Sequence, residues 1–568
     1  MTIVERAGRR SWRCGLGAMA LIALAMPVLA AGASEITFRK PVMRWLWGGL
    51  GFHNSEATML PIMSDEFRDE RVLKTFREIA PTYSRVFAGY ADWTKDMMDS
   101  FADYYDLTFR QAGTTLYMVP GRFPYVDKEF DARRHFDAIA ANCAYLVKER
   151  KLTKLRYYAI ANELSAGNVC AWFCRQGKMD LYREYCELMY LAFKRQGLDI
   201  GLQTADGSCG SGIENTIWAT KNVDEFTDTY CWHHYEYAGK PGDRSIWDNV
   251  YTNVARLVQA AGRCEKRLSL GEFGYQGRSS VERRGYGSGV MRDDGNFSFR
   301  HPEDQAVGAL VQVEMAFAAM NAGAVSSVHW TMFDYPDPFL REDGDSAAEK
   351  ARYDVVRFSG HGLTMRYNKC GLIRWNDDDH DYSARDGLYT MGYAAKFFRK
   401  GGRILPYETA DADLRAAAIT NPDGSATFAV LNWGGAKDLR VVSEQKIAKP
   451  LRVYLYNSAQ PPRNAFNDLQ PCARLVTAKD NSFSVALPPK SLLFLTTDYV
   501  DRTPSAVTGV HTENGRLVWN ACGDAEHVYY RVFSGGRQIA STVALSCALK
   551  GDGPFVVKSV DRWGNVRP

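Results

Sequence analysis

The chain has 568 residues, 46% hydrophobic, 24% charged and 12% aromatic, which gives room for two to four domains and excludes a disordered chain, a collagen-like repeat or a multi-span membrane protein. Its 70 Lys and Arg against 66 Asp and Glu leave +4, and Arg6, Arg9, Arg10 and Arg13 less Glu5 account for +3 of that before Ser34. The nearly neutral remainder has no electrostatic footprint for nucleic acid or an anionic membrane.

Residues 1–33 read as an address. Arg9 and Arg10 precede an uncharged run from Cys14 to Ser34 that contains Pro27 and ends in Ala31-Gly32-Ala33. A basic start, an apolar stretch and small residues at the exit are the marks of a secretory signal peptide, so the chain is expected to be periplasmic or secreted. An uncleaved membrane anchor is the rival reading; no later segment is apolar enough to span a bilayer. Of 12 cysteines, Cys14 leaves with the signal and an odd number remains. Cys170 with Cys174, and Cys522 with Cys547, are candidate disulfides in such a compartment. Zinc is not expected, since no His follows at finger-like spacing.

From residue 34 to 400, short apolar runs alternate with amphipathic ones. The runs are Tyr83–Phe87, Thr115–Val119, Leu155–Ile160, Leu198–Gln203, Phe226–Tyr230, Arg267–Leu270 and Val325–Val328, with helical stretches such as Asp180–Arg195 and Pro302–Ala322 between them. That cadence predicts an α/β fold, a (β/α)8 TIM barrel, whose first residues can add a strand to the block that follows. A doubly wound sheet is disfavoured because no Gly-rich phosphate turn follows an early strand. Residues 401–500 carry short β-rich runs, including Ala416–Ile419, Ala426–Leu431, Leu451–Leu455 and Phe483–Leu487, and predict a β-sandwich. Residues 501–568 form a third block, also β, with runs at Arg516–Trp519, Val528–Val532 and Phe555–Lys558 that resemble a fibronectin type III domain.

In a parallel barrel, chemistry gathers where strands end. Two acids stand directly after apolar runs: Asn162-Glu163 after Tyr157–Ala161, and Glu272 after Leu268–Gly271. They lie 109 residues apart, enough for roughly three βα units, so that if one ends strand four the other ends strand seven. Two opposed carboxylates suit glycoside cleavage, one protonated to release the departing oxygen and the other ionised against the sugar carbon. A retaining enzyme would hold them about 5–5.5 Å apart.

The pair resembles the clan of retaining (β/α)8 glycosidases with Asn-Glu on strand four and a second Glu on strand seven. That resemblance implies Glu163 as acid/base, Glu272 as nucleophile and Asn162 as a ligand of the sugar. Within the clan the chain is most similar to glycoside hydrolase family 39, the β-xylosidases and α-L-iduronidases. The closer likeness rests on Asp228, His233 and Tyr235 in DTYCWHHYEY, on Leu487–Leu493 (LPPKSLL), and on the tail from Thr503 to Trp563. There are departures: Leu164 stands where the family commonly has Pro, and Tyr235 where iduronidases place a Lys, which weighs against a uronic acid in the central subsite.

Further candidates line the same mouth. His53 follows the first strand and is expected to meet a sugar hydroxyl or to be structural. Arg85 on strand two is expected to hold Glu272 ionised. His233 and His234 are adjacent, so on a strand only one faces inward, and the family likeness selects His233. Trp330 after strand eight is a candidate stacking floor, and Asp334 and Asp337 candidate hydroxyl selectors. The reading is an exported retaining glycosidase acting on an oligo- or polysaccharide with no cofactor and no metal. The alternatives are a non-catalytic carbohydrate-binding protein and a polysaccharide-export factor on a barrel scaffold.

Overall fold

The computed structural model describes residues 34–120, 131–164, 172–175, 177–236, 240–275, 302–336, 367–368, 371–377 and 380–567. The signal-peptide segment, Cys170 and Asp337 lie outside the described residues. Eight parallel strands close into a barrel: Gly49–His53, Tyr83–Phe87, Thr115–Val119, Leu155–Tyr158, Gly201–Ser208, Thr227–Glu236, Arg267–Tyr275 and Ser326–His329, here barrel strands one to eight. Strand eight returns to strand one through Gly49 opposite Ser326 to Phe52 opposite His329. Tyr83, Tyr117, Val119, Ala159, Cys231 and Val328 fill the interior, so the barrel is a packed core with a mouth and not a pore.

Helices cover the outside for the reason the sequence suggests. Met179–Arg195 buries Tyr182, Tyr185, Cys186, Met189 and Phe193, at helical spacing, and turns its charges outward. Pro302–Asn321 is apolar nearly all round, because it is sandwiched between the barrel and the β block behind it. Among the described residues no helix is long and apolar enough to cross a membrane.

Two sheets follow. The four-stranded one runs Tyr407–Glu408, Ser34–Phe38, Lys437–Ser443, Ser482–Leu487, so the first described strand of the chain is inserted in it, parallel to Lys437–Ser443. The six-stranded one contains Leu414–Thr420, Ala426–Asn432, Ser491–Thr496 and Leu451–Asn457 at its centre. Ile36, Phe38, Leu414, Phe428, Val441 and Leu493 share the core between them. Behind lies a small pair of three-stranded antiparallel sheets with Leu517, Trp519, Tyr530, Val532, Cys547 and Val557 between them. The disulfide expectation fails here: Cys522 and Cys547 are both free thiols, with Cys547 serving as a small apolar residue in that core. Cys174 is also a free thiol.

A buried charge cluster ties the three blocks together. Lys74, on helix Leu73–Ile79 between barrel strands one and two, has no exposed side-chain surface. Its ammonium reaches Glu78 at 2.6 Å, the Asn467 carbonyl at 2.8 Å and Asp468 at 2.9 Å. Asp468 in turn pairs with Arg531 of the last block at 3.1 Å, and Tyr529 donates to Glu78 at 3.1 Å. Removing Lys74 takes the cation from buried Glu78 and leaves buried Asp468 with Arg531 alone. Lys74→Met is therefore expected to cost about 3–5 kcal/mol, read as a lower urea midpoint with intrinsic fluorescence; an unchanged midpoint would contradict the cluster's role.

Candidate active site

Arg85 of strand two lies at the centre of the C-terminal mouth with no exposed surface. Its Nη1 donates to Glu272 Oε2 at 2.7 Å and to His53 Nδ1 at 3.1 Å. Its Nη2 donates to Asp206 Oδ2 at 3.0 Å and to Asn162 Oδ1. Because the guanidinium can only donate, His53 Nδ1 must accept, and His53 Nε2–H is left to donate to Ser55 Oγ at 2.9 Å. Burial, with the charges of Arg85 and His233, holds His53 well below its ordinary pKa, so the ring is neutral.

This corrects one expectation. His53 is wholly buried with both nitrogens committed, and it supports the site and does not meet a sugar hydroxyl. Its ring instead lies 4.3 Å from Trp330 and 4.3 Å from Phe87, centroid to centroid. Trp330, directly after strand eight, is only partly buried and forms an aromatic wall with Phe87 and Tyr335.

Glu163 and Glu272 reach the same mouth, with one oxygen of each, together with a ring nitrogen of His233, inside a 4.8 Å group. Glu163 follows strand four in the left-handed region, φ 55°, a conformation that costs a non-glycine residue about 1–3 kcal/mol and that surrounding packing must enforce. Leu164, next along, anchors it by being wholly buried. Glu272 owes its aim to a bulge. Strand seven pairs Leu270 with Trp232 and Glu272 with His233, leaving Gly271 as the extra residue, and this re-aims the following carboxylate into the barrel. A Cβ on Gly271 would sit 2.1 Å from Cys231 Sγ, so only glycine fits.

Strand six supplies His233, which is wholly buried, and Tyr235 on the same face; His234 points the other way and stacks on Trp232 at 5.1 Å. The Tyr235 hydroxyl donates to Glu272. His233 Nδ1 lies 3.2 Å from Glu163 Oε1 and 3.7 Å from Glu272 Oε2. Its Nε2 lies 2.9 Å from Asp206 Oδ1. Burial opposes charge on this ring, but Asp206 and Glu272 outweigh it and hold His233 well above its ordinary pKa, as an imidazolium. Asp206 is itself wholly buried, yet His233 and Arg85 hold it below the usual carboxylate range.

Burial and Arg85 act on Glu272 in opposite directions. Burial lifts it above its ordinary value, and the pull of His233, Arg85 and the Tyr235 hydroxyl reduces that rise without cancelling it. Arg85 does contact Glu272, but desolvation is the larger effect.

Asp206, Tyr117 and Cys231 are residues that sequence reasoning missed. Asp206 also accepts from Tyr117 Oη at 2.7 Å and Cys231 Sγ at 2.9 Å. Asp228 and Asp334 lie elsewhere in function. Asp228 pairs with Arg267 at 3.2 Å where strands six and seven begin, at the far end of the barrel. Asp334 corrects a further expectation: it is buried and doubly bonded to Arg385, at 2.8 and 3.0 Å, and it accepts from Gly371 N–H. Two groups, Asp206 with Cys231 and His233 and Glu163 with His233 and Glu272, bring ligand-type atoms within 4.8 Å of one another, with the guanidinium of Arg85 beside them.

Known structures share this architecture. A bacterial orthologue of human α-L-iduronidase aligns over 94% of this chain and 98% of its own, with TM-score 0.55 and 14% identity. The α-L-arabinofuranosidase of Thermotoga maritima aligns over 82% and 99%, with TM-score 0.55 and 12% identity. A family 30 subfamily 8 xylanase from Clostridium acetobutylicum aligns over 81% and 99%, with TM-score 0.52 and 12% identity. No family model and no curated protein matches the sequence. At these identities the likeness establishes the fold: a (β/α)8 barrel with appended β-sandwich, shared with glycoside hydrolases.

The Gly271 contact is testable. Gly271→Ala should lower stability by about 1–3 kcal/mol through overpacking, seen as a lower melting temperature. Gly271→Ala combined with Cys231→Ala should recover most of the loss, because the sulfur is gone and the nearest remaining atom is His233 Nε2 at 3.3 Å. A double variant no better than the single would place the strain elsewhere.

Proposed function

We propose that this chain is an exported retaining glycosidase that hydrolyses an oligo- or polysaccharide by double displacement. The observation that carries the reading is the proximity of Glu163 and Glu272, with oxygens inside 4.8 Å at the mouth of the barrel. One oxygen of each so close together favours the spacing of retaining enzymes, about 5–5.5 Å between carboxyls, over the about 6.5–9.5 Å of inverting ones. The shared fold with iduronidase, arabinofuranosidase and xylanase structures supports a carbohydrate substrate. Export rests on the basic, then apolar, then small-residue start of the sequence.

The roles divide by environment. Glu272 has 6% side-chain exposure and receives Arg85 and Tyr235, donors that favour its ionised form; it is the nucleophile. Glu163 has 15% side-chain exposure and stands at the opening; it is the acid and then the base. Asn162, with Oδ1 committed to Arg85, offers its Nδ2 donors to a sugar hydroxyl. Trp330 and Phe87 supply an apolar wall for a sugar face.

Chromogenic aryl glycosides of several sugars identify a working substrate, and variants then test the roles. Glu272→Ala should abolish turnover. Glu163→Ala should lose about 10²-fold or more with poor leaving groups and far less with activated phenolates. Azide should revive Glu163→Ala and yield a glycosyl azide of retained configuration, whereas Glu272→Ala should give the inverted azide. Opposite stereochemistries would exchange the two roles, and absence of any hydrolysis or of labelling by 2-fluoro glycosides would favour a carbohydrate-binding protein.

A further inference from the structure

Strand five is built abnormally, and the abnormality serves one side chain. Its pairing runs Ala205 with Cys231 and then Gly207 with Trp232, so Asp206 is the extra residue of a bulge. Gln203 faces the barrel interior, its amide 3.5 Å from Tyr83 Oη. Strict alternation from Gln203 would turn Asp206 outward; the bulge turns it inward. Ala205 and Asp206 have φ of 31° and 48°, both in the left-handed region that non-glycine residues avoid. Gly207 makes the turn possible, since a Cβ there would lie 2.7 Å from the Gly212 carbonyl. The backbone is strained to deliver a carboxylate that no substrate can touch, since Asp206 is wholly buried.

Four donors converge on it: Arg85 at 3.0 Å, His233 Nε2 at 2.9 Å, Tyr117 Oη at 2.7 Å and Cys231 Sγ at 2.9 Å. We propose that Asp206 is a positioning residue for the hydrolysis: holding His233 by Nε2, it keeps one N–H at Nδ1 aimed between Glu163 and Glu272, a donor that follows negative charge from one carboxylate to the other. This rests on the glycosidase reading. At the start Glu272 is the anion and Nδ1–H faces it at 3.7 Å. Glu163 then gives its proton to the departing oxygen, the glycosidic C–O bond breaks with its electrons on that oxygen, and Glu272 bonds to the anomeric carbon as an ester. The anion is now Glu163, already 3.2 Å from the same Nδ1. In the second step Glu163 takes a proton from water, the water oxygen bonds to the anomeric carbon, and the ester bond breaks with its electrons on Glu272. His233 keeps both protons throughout, and the ring need not turn.

The groups facing His233 are Asp206 from strand five, Glu163 from strand four, Glu272 from strand seven and Cys231 from its own strand. Arg85 and Tyr117 lie beyond Asp206, and the neutral ring of His53 beyond Arg85. Of the anions, Asp206 alone keeps its charge through the cycle, because Glu272 is esterified and Glu163 protonated in turn. Without it, burial would strip the imidazolium.

The test reads His233 directly, by NMR titration of the full chain carrying 15N-histidine, with His233→Gln identifying its signals. Wild-type His233 should stay doubly protonated well above the ordinary histidine value of about 6.5, and Asp206→Asn should move its midpoint down by about one pH unit or more. On whichever aryl glycoside the wild type hydrolyses, the alkaline limb of kcat/KM should move down with it, and kcat should fall by about tenfold or more. A residue that only braced the fold would lower the melting temperature and leave both the titration and the limb in place, which would overturn the proposal. A wild-type midpoint near the ordinary value of about 6.5 would overturn it even if Asp206→Asn does not fold. Titration as expected in a protein that hydrolyses no glycoside would sink the glycosidase reading, and the positioning role with it, while leaving the Asp206–His233 pair intact.

Discussion

A guanidinium with no access to water dictates the arrangement of the mouth. Taking Arg85 out of solvent costs several kcal/mol, recovered only if its donors meet well-placed acceptors. Those acceptors come from four other strands: His53 from one, Asn162 after four, Asp206 from five and Glu272 from seven. The barrel must therefore close in a single register for the cation to be satisfied, because the side-chain period of a strand is two and a slip by one residue would turn any of these groups outward. The same demand fixes details that look local, such as the tautomer of His53 and the orientation of the Asn162 amide.

With His233 as the second cation, the cluster holds two positive groups against three carboxyls, Asp206, Glu163 and Glu272. One proton must remain on the acids, since a third uncompensated charge in this setting is expensive. Asp206 does not take it, being held low by both cations. That leaves Glu163 and Glu272 as the two carboxyls between which the proposed double displacement moves its proton. What separates the two is the direction of the donors and the exposure, with Arg85 and Tyr235 on Glu272 and the opening beside Glu163. The proposed double displacement uses these differences in environment to divide the two roles.

How much of this is legible in the sequence depends on whether the backbone keeps its period. Barrel strands two and three span Tyr83–Phe87 and Thr115–Val119, as the apolar runs predict, because nothing interrupts the alternation there. Strands five, six and seven run on to Ser208, Glu236 and Tyr275, well past the apolar runs, and the added residues are the polar ones that form the site. Glu163 and Glu272 could be found because each follows an apolar run closely. Asp206 could not: it lies beyond the run ending at Gln203, and an unbroken period from that residue sends it to the wrong face. Only the bulge corrects this, and the Gly207 that permits it is indistinguishable by type from 47 other glycines. Composition misleads in the last block for a related reason, since a compartment that allows disulfides does not decide whether Cys547 packs as a thiol or bonds to Cys522.

Among the described residues the β blocks supply none of the site groups named above, yet they act on the mouth through the barrel seam. Helix Leu73–Ile79 leads into strand two and is fastened by Lys74 and Glu78 to Asp468 and Tyr529. Helix Pro302–Asn321 leads into strand eight, and its buried Glu314 receives Arg415 at 3.0 Å and Trp433 at 2.9 Å from the sandwich. These two helices flank strand one, so the appended blocks grip the barrel where strands eight, one and two close it, and those are the strands that place Trp330, His53 and Arg85. Left-handed residues at Glu163, Ala205 and Asp206 persist only if their surroundings over-determine them. Arg85 stands on one of these seam strands, and its acceptors stand on or after strands one, four, five and seven. The buttressing is thus the remote half of the same constraint that the guanidinium imposes at the centre.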